Sequence, residues 1–236
     1  MRMEKKYKLT DKTINFNGVT LYRIEALKDF GEIKKGDKGG FIESENNLAH
    51  DGDAWVSDDA LVYDNARVYG NAHVYDHARV HGKCQVYGGA SVYDGACVYG
   101  YTHVCGFACV YGDALVFNDA RVYGNAWVHG DARVFDNARV YGNVHLFDNA
   151  RLYGYTCVCG DAEISTDADY IVFKNWWSSG RYFTWTRSNN MWSVGCFYGT
   201  GEELIKKAYQ DSEKSGREYE RVVKYIEEIK KENYGK

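Results

Sequence analysis

From Trp55 to Ile164 the chain repeats every six residues without a break. A branched apolar residue falls at position 56 and at every sixth residue to 164, and it is Val except at Leu146, Leu152 and Ile164. Four residues after each stands a small residue, nearly always Ala; Cys84, Thr102, Val144 and Thr156 are the exceptions. Two residues after each stands Gly, Asp or Asn, until Thr166 ends the series. A strict internal repeat decides the fold before any single element is assigned.

The physics of one unit is simple. Ala and the branched residue lie two apart, so both side chains point to one face of a strand. The residues between and after them, such as Arg121 and Tyr123, point the other way. Gly, Asp and Asn tolerate positive φ, so each unit ends in a sharp corner. A strand this short suits a coil with three short sides, six residues per side and eighteen per turn. Residue i then stacks on i+18 at about 4.8 Å, and roughly six coils make a prism on the order of 30 Å long. The chain contains no proline, as suits a shaft whose coils exchange backbone hydrogen bonds on every side.

A branched residue followed four later by a small one resembles the hexapeptide repeat of left-handed parallel β-helices. The hand is implied by the resemblance; the spacing does not show it. The family includes acyltransferases, carbonic-anhydrase-like proteins and members without known activity. The register seen in Val122-Tyr-Gly-Asn-Ala-Trp resembles proteins of phages and prophages labelled only as hexapeptide transferase-like or polymer-forming. The segments Leu21-Tyr-Arg-Ile-Glu-Ala-Leu and Gly36-Asp-Lys-Gly-Gly-Phe-Ile-Glu-Ser resemble the leader of those proteins. The expected fold class is therefore mainly β: a left-handed parallel β-helix with an N-terminal β cap and a small C-terminal α+β cap. Relatives are usually trimers, so the resemblance implies a homotrimer. A monomer would expose an outward aromatic at nearly every unit, a surface that an interface would cover.

Composition narrows the partners. The 236 residues are 45% hydrophobic, enough for one elongated domain with caps. No apolar run is long enough to cross a bilayer, and the start, Met1 to Lys8, is polar and charged. The expectation is the cytoplasm, the host's if the chain is phage-encoded. Residues 51–169 carry 7 Lys+Arg against 16 Asp+Glu, whereas residues 1–50 and 170–236 are net positive. An acidic shaft is a poor partner for a nucleic-acid polymer, which needs a basic stripe. The seven cysteines form no Cys-x-x-Cys pair and fit no usual zinc set, so neither a metal nor a cofactor is expected.

Three segments follow. Residues 1–50 form an N-terminal cap, with β-like stretches flanking the turn signal Asn17-Gly18. Residues 51–168 form the repeat shaft. Residues 169–236 form an α+β unit: strands at 170–173, 181–187 and 191–197, a helix from Gly201 opened by the capping box Thr200/Glu203, a break near Ser215-Gly216, and a second helix from Arg217.

Chemistry is sparser. An acyltransferase of this family typically uses a histidine base near an inserted loop, and no insertion interrupts 55–164. His103 and His145 are the candidates, without a motif to support them. The step of eighteen puts Arg121 on Arg139 and Arg133 on Arg151, and like charges opposite one another in a sheet need neutralising. The corner carboxylates Asp119 and Asp131 are one answer; an anion held by paired guanidiniums is the other. Tyr123, Tyr141 and Tyr153 lie beside those arginines, and Arg181, Tyr182, Trp185, Arg187 and Trp192 repeat the chemistry in the C-terminal cap. Rings and arginine forks suit a small anionic or nucleotide ligand. The leading reading is a non-catalytic, trimeric small-ligand binder, in its most concrete version a phage anti-defence sponge for nucleotide immune signals. An acyltransferase using an acyl-CoA donor is the alternative, and a structural, polymer-forming shaft the third. The bulky corners Tyr101, Tyr155 and Phe107 are candidate subunit contacts.

Overall fold

A computed structural model of the chain describes residues 4–234, and side chains as far as 232; residues 1–3 of the charged start lie outside the described residues. Each hexad is a two-residue strand and a corner. Three strands precede the shaft: β1 (Tyr7–Phe16), β2 (Val19–Ala26) and β3 (Lys38–Ile42). The nineteen shaft strands, β4 to β22, run from Trp55–Val56 to Glu163–Ile164. They pair in parallel eighteen residues apart, as in Arg121↔Arg139 and Val122↔Val140. Three faces result. The first carries Leu61, Arg79, Cys97, Leu115, Arg133 and Arg151 outward. The second carries Arg67, Gln85, His103, Arg121, Arg139 and Cys157. The third runs from Trp55 to Glu163.

The third face stacks seven strands, one more than the roughly six coils expected. The coil starts earlier than the hexad pattern does. β3 pairs with the first face through Ile42↔Val62, and Leu48 bridges Val68. Those partners are twenty apart, because two extra residues between Leu48 and Val56 hide the period.

Every branched residue from Val56 to Ile164 is fully buried. So, to within 2%, are the small residues from Ala54 to Ala162, whereas Ala168 beyond the last coil is exposed. The two threonines among them return their hydroxyls to the backbone, Thr102 Oγ1 to Tyr99 O at 2.7 Å and Thr156 Oγ1 to Tyr153 O at 2.6 Å. The outward aromatics stack ring on ring. Tyr63, His81, Tyr99, Phe117, Phe135 and Tyr153 form one column with centroids 4.8–5.4 Å apart. Tyr75, Tyr93, Tyr111, His129 and Phe147 form another, at 4.7–5.8 Å. Each ring covers its neighbour's face within the range of favourable aromatic pairs. The same covering desolvates the phenols of Tyr63, Tyr75, Tyr93, Tyr99 and Tyr111 and holds them above the ordinary 10.0.

Open ends would expose backbone edges. At the lower end, Lys6 is 1% exposed, and its ammonium donates to Ala54 O at 2.7 Å and Gly52 O at 3.1 Å. Burial pushes its pKa down to about 8. Asn47 Nδ2 donates to Asp64 O and Ala66 O, and the Tyr7 hydroxyl to Leu48 O. At the upper end the pattern by which each strand's first N–H bonds a carbonyl seventeen residues on runs out. Side chains replace it on all three faces. The N–H of Arg151 donates to Asp167 Oδ1, that of Cys157 to Thr184 Oγ1 and that of Glu163 to Ser188 Oγ. Tyr170 closes the core from above, donating to Arg151 O at 2.6 Å.

The C-terminal unit is an antiparallel sheet of four strands, β23 (Tyr170–Lys174), β24 (Tyr182–Thr186), β25 (Met191–Val194) and β26 (Phe197–Gly199), followed by α1 (Gly201–Asp211) and α2 (Glu213–Tyr234). The strand expected over 191–197 ends at Val194, and a short fourth strand begins at Phe197 after a turn at Gly195. The chain breaks at Ser212, in extended backbone, and α2 runs through Ser215 and Gly216. Gly216 serves helix contact: a Cβ there would lie 2.3 Å from the Tyr209 ring. No helix among the described residues is long and apolar enough to cross a membrane.

Val134→Asp puts a charge into a fully buried column and should cost several kcal/mol, so the variant is expected to be unfolded or to melt far below the parent. An unchanged melt would contradict the inward register. The raised phenols make a second prediction. A folded-state pKa above the unfolded value of 10.0 means the folded chain keeps its protons longer, so this stability is complete below pH 10 and is lost as pH rises beyond it. Denaturant unfolding followed with phenolate absorbance should show stability falling above pH 10; constant stability there would show that the ladder does not shield its hydroxyls.

Candidate anion-binding cleft

The side-chain caps that close the upper end also seat the C-terminal sheet against the second face. Thr184 of β24 caps Cys157, so the start of β24 and the turn after β25 overhang Arg121 and Arg139. Between them lies a cleft of about 810 Å³. Its walls bear Arg121 and Arg139 from adjacent coils, and Lys174 and Arg181 from the cap. Among the described residues, Asp119 is the one carboxylate lining it. Tyr155 and Tyr182 close the top, stacked at 5.0 Å and 11°, with Lys174 Nζ 5.5 Å from the Tyr182 ring.

Among the described residues, none of these four cations has a carboxylate partner within 4.0 Å. Arg121 therefore does not pair with Asp119, nor Arg133 with Asp131. Four unneutralised positive groups around one concavity, on a shaft of net negative charge, form an electrostatic funnel for an anion. Guanidiniums bind phosphate or carboxylate oxygens through paired N–H donors.

The structure sorts the expected site residues into separate places. Arg121, Arg139 and Arg181 converge in the cleft. Arg133 and Arg151 stack on each other on the first face, away from it. Tyr123 and Tyr141 stack together at 4.8 Å. Tyr123 also lines a smaller cavity of about 300 Å³ with Tyr87, His103, Cys105, Arg121 and Arg139. Tyr153 ends its ladder and, with Tyr155, Tyr170 and Tyr182, lines an apolar hollow. Trp185 and Trp192, each 2% exposed, belong to the core of the cap with Phe183 and Ile226, so their rings are not presented to a ligand. Arg187 pairs at 2.5 Å with the buried Asp169. Burial pushes that carboxyl up, but the N–H groups of Ser165 and Thr166 and the guanidinium outweigh it and hold it below the ordinary 3.8.

His103 stands edge-on to Tyr87 at 6.3 Å and 87°. Desolvation, helped by Arg121, lowers its pKa. His145 stacks on Trp127 at 5.0 Å and 9°. Among the described residues neither has a carboxylate partner to orient it as a base. No group of three or more His, Cys, Asp or Glu among those residues is placed to hold a metal ion.

Tyr182 is an expected residue of the cap and does line the cleft, whereas Lys174 and Tyr155 are lining residues that sequence reasoning did not assign to a ligand. Tyr155 carried a signal, a bulky residue at a corner usually held by Asn or Asp, and it meets the chain's own cap. Nothing in the sequence marks Lys174, because its place depends on where β23 lands.

A family profile for the YdcK beta solenoid repeat matches residues 60–75, 116–130 and 132–146, all within the shaft. With these matches and its parallel solenoid, the chain fits a hexapeptide-repeat-like β-helix family. No curated protein matches it.

Removing one of two arginines that face outward from adjacent coils relieves repulsion and breaks no ion pair among the described residues. Arg139→Ala should therefore leave the melting transition unchanged or slightly higher, within about 0.5 kcal/mol of the parent. A loss above about 1 kcal/mol in calorimetry would reveal a structural partner for Arg139.

Proposed function

We propose that this chain is a non-catalytic binding protein that holds a small, multiply charged anion in the cleft between the second face and the C-terminal cap. One observation carries the reading: Arg121, Arg139, Lys174 and Arg181 surround a single cavity and none has a carboxylate partner among the described residues. All four side chains are solvent-exposed, so water screens much of their mutual repulsion, and a bound anion supplies the counter-charge they lack. Sequestration of a nucleotide signal in a phage-infected host is the biological role that the resemblance lends to such a site. Self-association as a homotrimer belongs to the same proposal. Tyr101, Phe107 and Trp127 are 56%, 71% and 43% exposed, apolar surface of the kind that assembly covers.

Calorimetric titration with inorganic pyrophosphate tests the cleft. Binding is expected at low ionic strength and should weaken as salt is added. Arg139→Ala and Arg181→Ala should each lose about 1.5–3 kcal/mol, or roughly ten- to hundredfold in affinity. No pyrophosphate binding at low salt would overturn the proposal, as would affinity undiminished in both variants. Light scattering that gives the monomer mass of 26.9 kDa would remove the trimer.

A further inference from the structure

The second aromatic ladder is incomplete. The other two columns carry a ring at every coil from Tyr63 to Tyr153 and from Tyr75 to Phe147. The second column carries Tyr69 on Tyr87 and Tyr123 on Tyr141, with Cys105 and Cys159 where rings would continue it. These gaps are three coils apart, and their fates differ. Above Tyr141 the chain's own cap closes the gap. Cys159 is 2% exposed, and the Tyr198 hydroxyl sits so close to Gly160 that a Cβ there would lie 1.8 Å from it. At Cys105 no segment among the described residues covers the gap. The thiol is half-buried, and the opening is the cavity of about 300 Å³ beside the cleft.

The opening has the dimensions of the missing ring. Neighbouring rings in this column lie 4.8–4.9 Å apart. Two coils separate Tyr87 from Tyr123, so their planes stand about 9.6 Å apart. A planar ring midway would meet each at the ladder's own spacing, inside the about 4.5–7 Å range of favourable aromatic pairs. His103, edge-on to Tyr87, forms the side wall. Arg121 and Arg139 line this opening and the cationic cleft alike, so a group in the slot and an anion in the cleft share one pair of guanidiniums.

We infer that the gap at Cys105 is a slot for the planar ring of the ligand, sandwiched between Tyr87 and Tyr123, while Arg121 and Arg139 hold the phosphate attached to it. The ligand class is a ring-bearing phosphate of the nucleotide type. The inference rests on the anion reading of the cleft and adds a ring requirement that the cleft alone does not impose.

Two probes separate the claims: adenosine 5′-monophosphate, and ribose 5-phosphate, which has the phosphate but no base. The parent should bind the nucleotide at least about tenfold more tightly than the sugar phosphate, in line with the stacking of a base on aromatic side chains. Cys105→Tyr supplies the missing ring. It should reduce the nucleotide's affinity to that of the sugar phosphate and leave the sugar phosphate's unchanged, while Cys105→Ser keeps the preference. In the parent, the nucleotide but not the sugar phosphate should slow alkylation of Cys105 by iodoacetamide, read by peptide mass mapping; this readout decides the matter even if Cys105→Tyr does not fold. Equal affinity for the two probes in the parent, or equal alkylation rates with either, overturns the slot. The cleft reading survives that outcome if ribose 5-phosphate still binds and loses affinity in Arg139→Ala. Binding of neither probe overturns both.

Discussion

The backbone hydrogen bonds between coils, made at every side, are the interaction on which the rest of this structure depends. They fix the coil spacing at that of adjacent strands and force each residue onto the one eighteen positions away. Whatever the sequence places once, the fold turns into a column. Val becomes a continuous dry core and aromatic residues become stacked ladders. Repeated arginines become exposed like-charge pairs, an unfavourable arrangement when directly opposite in a sheet. The aromatic and cationic chemistry of this chain is thus a consequence of register, and its defects, the cysteines at 105 and 159, are visible because the register is so regular.

The same hydrogen bonding leaves two raw ends, and each cap answers it with named donors and acceptors. Below, a buried ammonium and an asparagine amide satisfy carbonyls. Above, one carboxylate and two hydroxyls accept from the last N–H of each face. The upper solution has a functional by-product. Because Thr184 must sit over Cys157, the start of β24 is held beside the second face, and Lys174 and Arg181 come to face Arg121 and Arg139. The cleft follows from closing the solenoid.

Much of this was legible in the sequence. The hexad alone gives strand, corner, inward and outward residues, and the step of eighteen gives the arginine pairs Arg121–Arg139 and Arg133–Arg151 that the structure shows. The capping box at Thr200 places α1. What was not legible depends on contacts between segments distant in sequence. Two inserted residues after Leu48 disguise the first coil. Gly216 looks like a helix break but permits Tyr209 to approach α2. Trp185 and Arg181 look alike as ligand-binding residues until the sheet's packing buries one and leaves the other at the cleft. Pairing of Asp119 with Arg121 and Asp131 with Arg133 was a fair expectation from sequence proximity, and it fails because those side chains do not come within ion-pair distance.

The central claim is that shaft and cap build one site. A double-mutant cycle on Arg139→Ala and Arg181→Ala, read as pyrophosphate binding free energy, tests it most directly, because the two residues lie on different segments and meet only across the cleft. If both hold the same anion, the double variant should depart from the sum of the single variants by at least about 0.5 kcal/mol. Strict additivity, or an effect confined to one of the two, would contradict a shared site and leave two unrelated patches of charge.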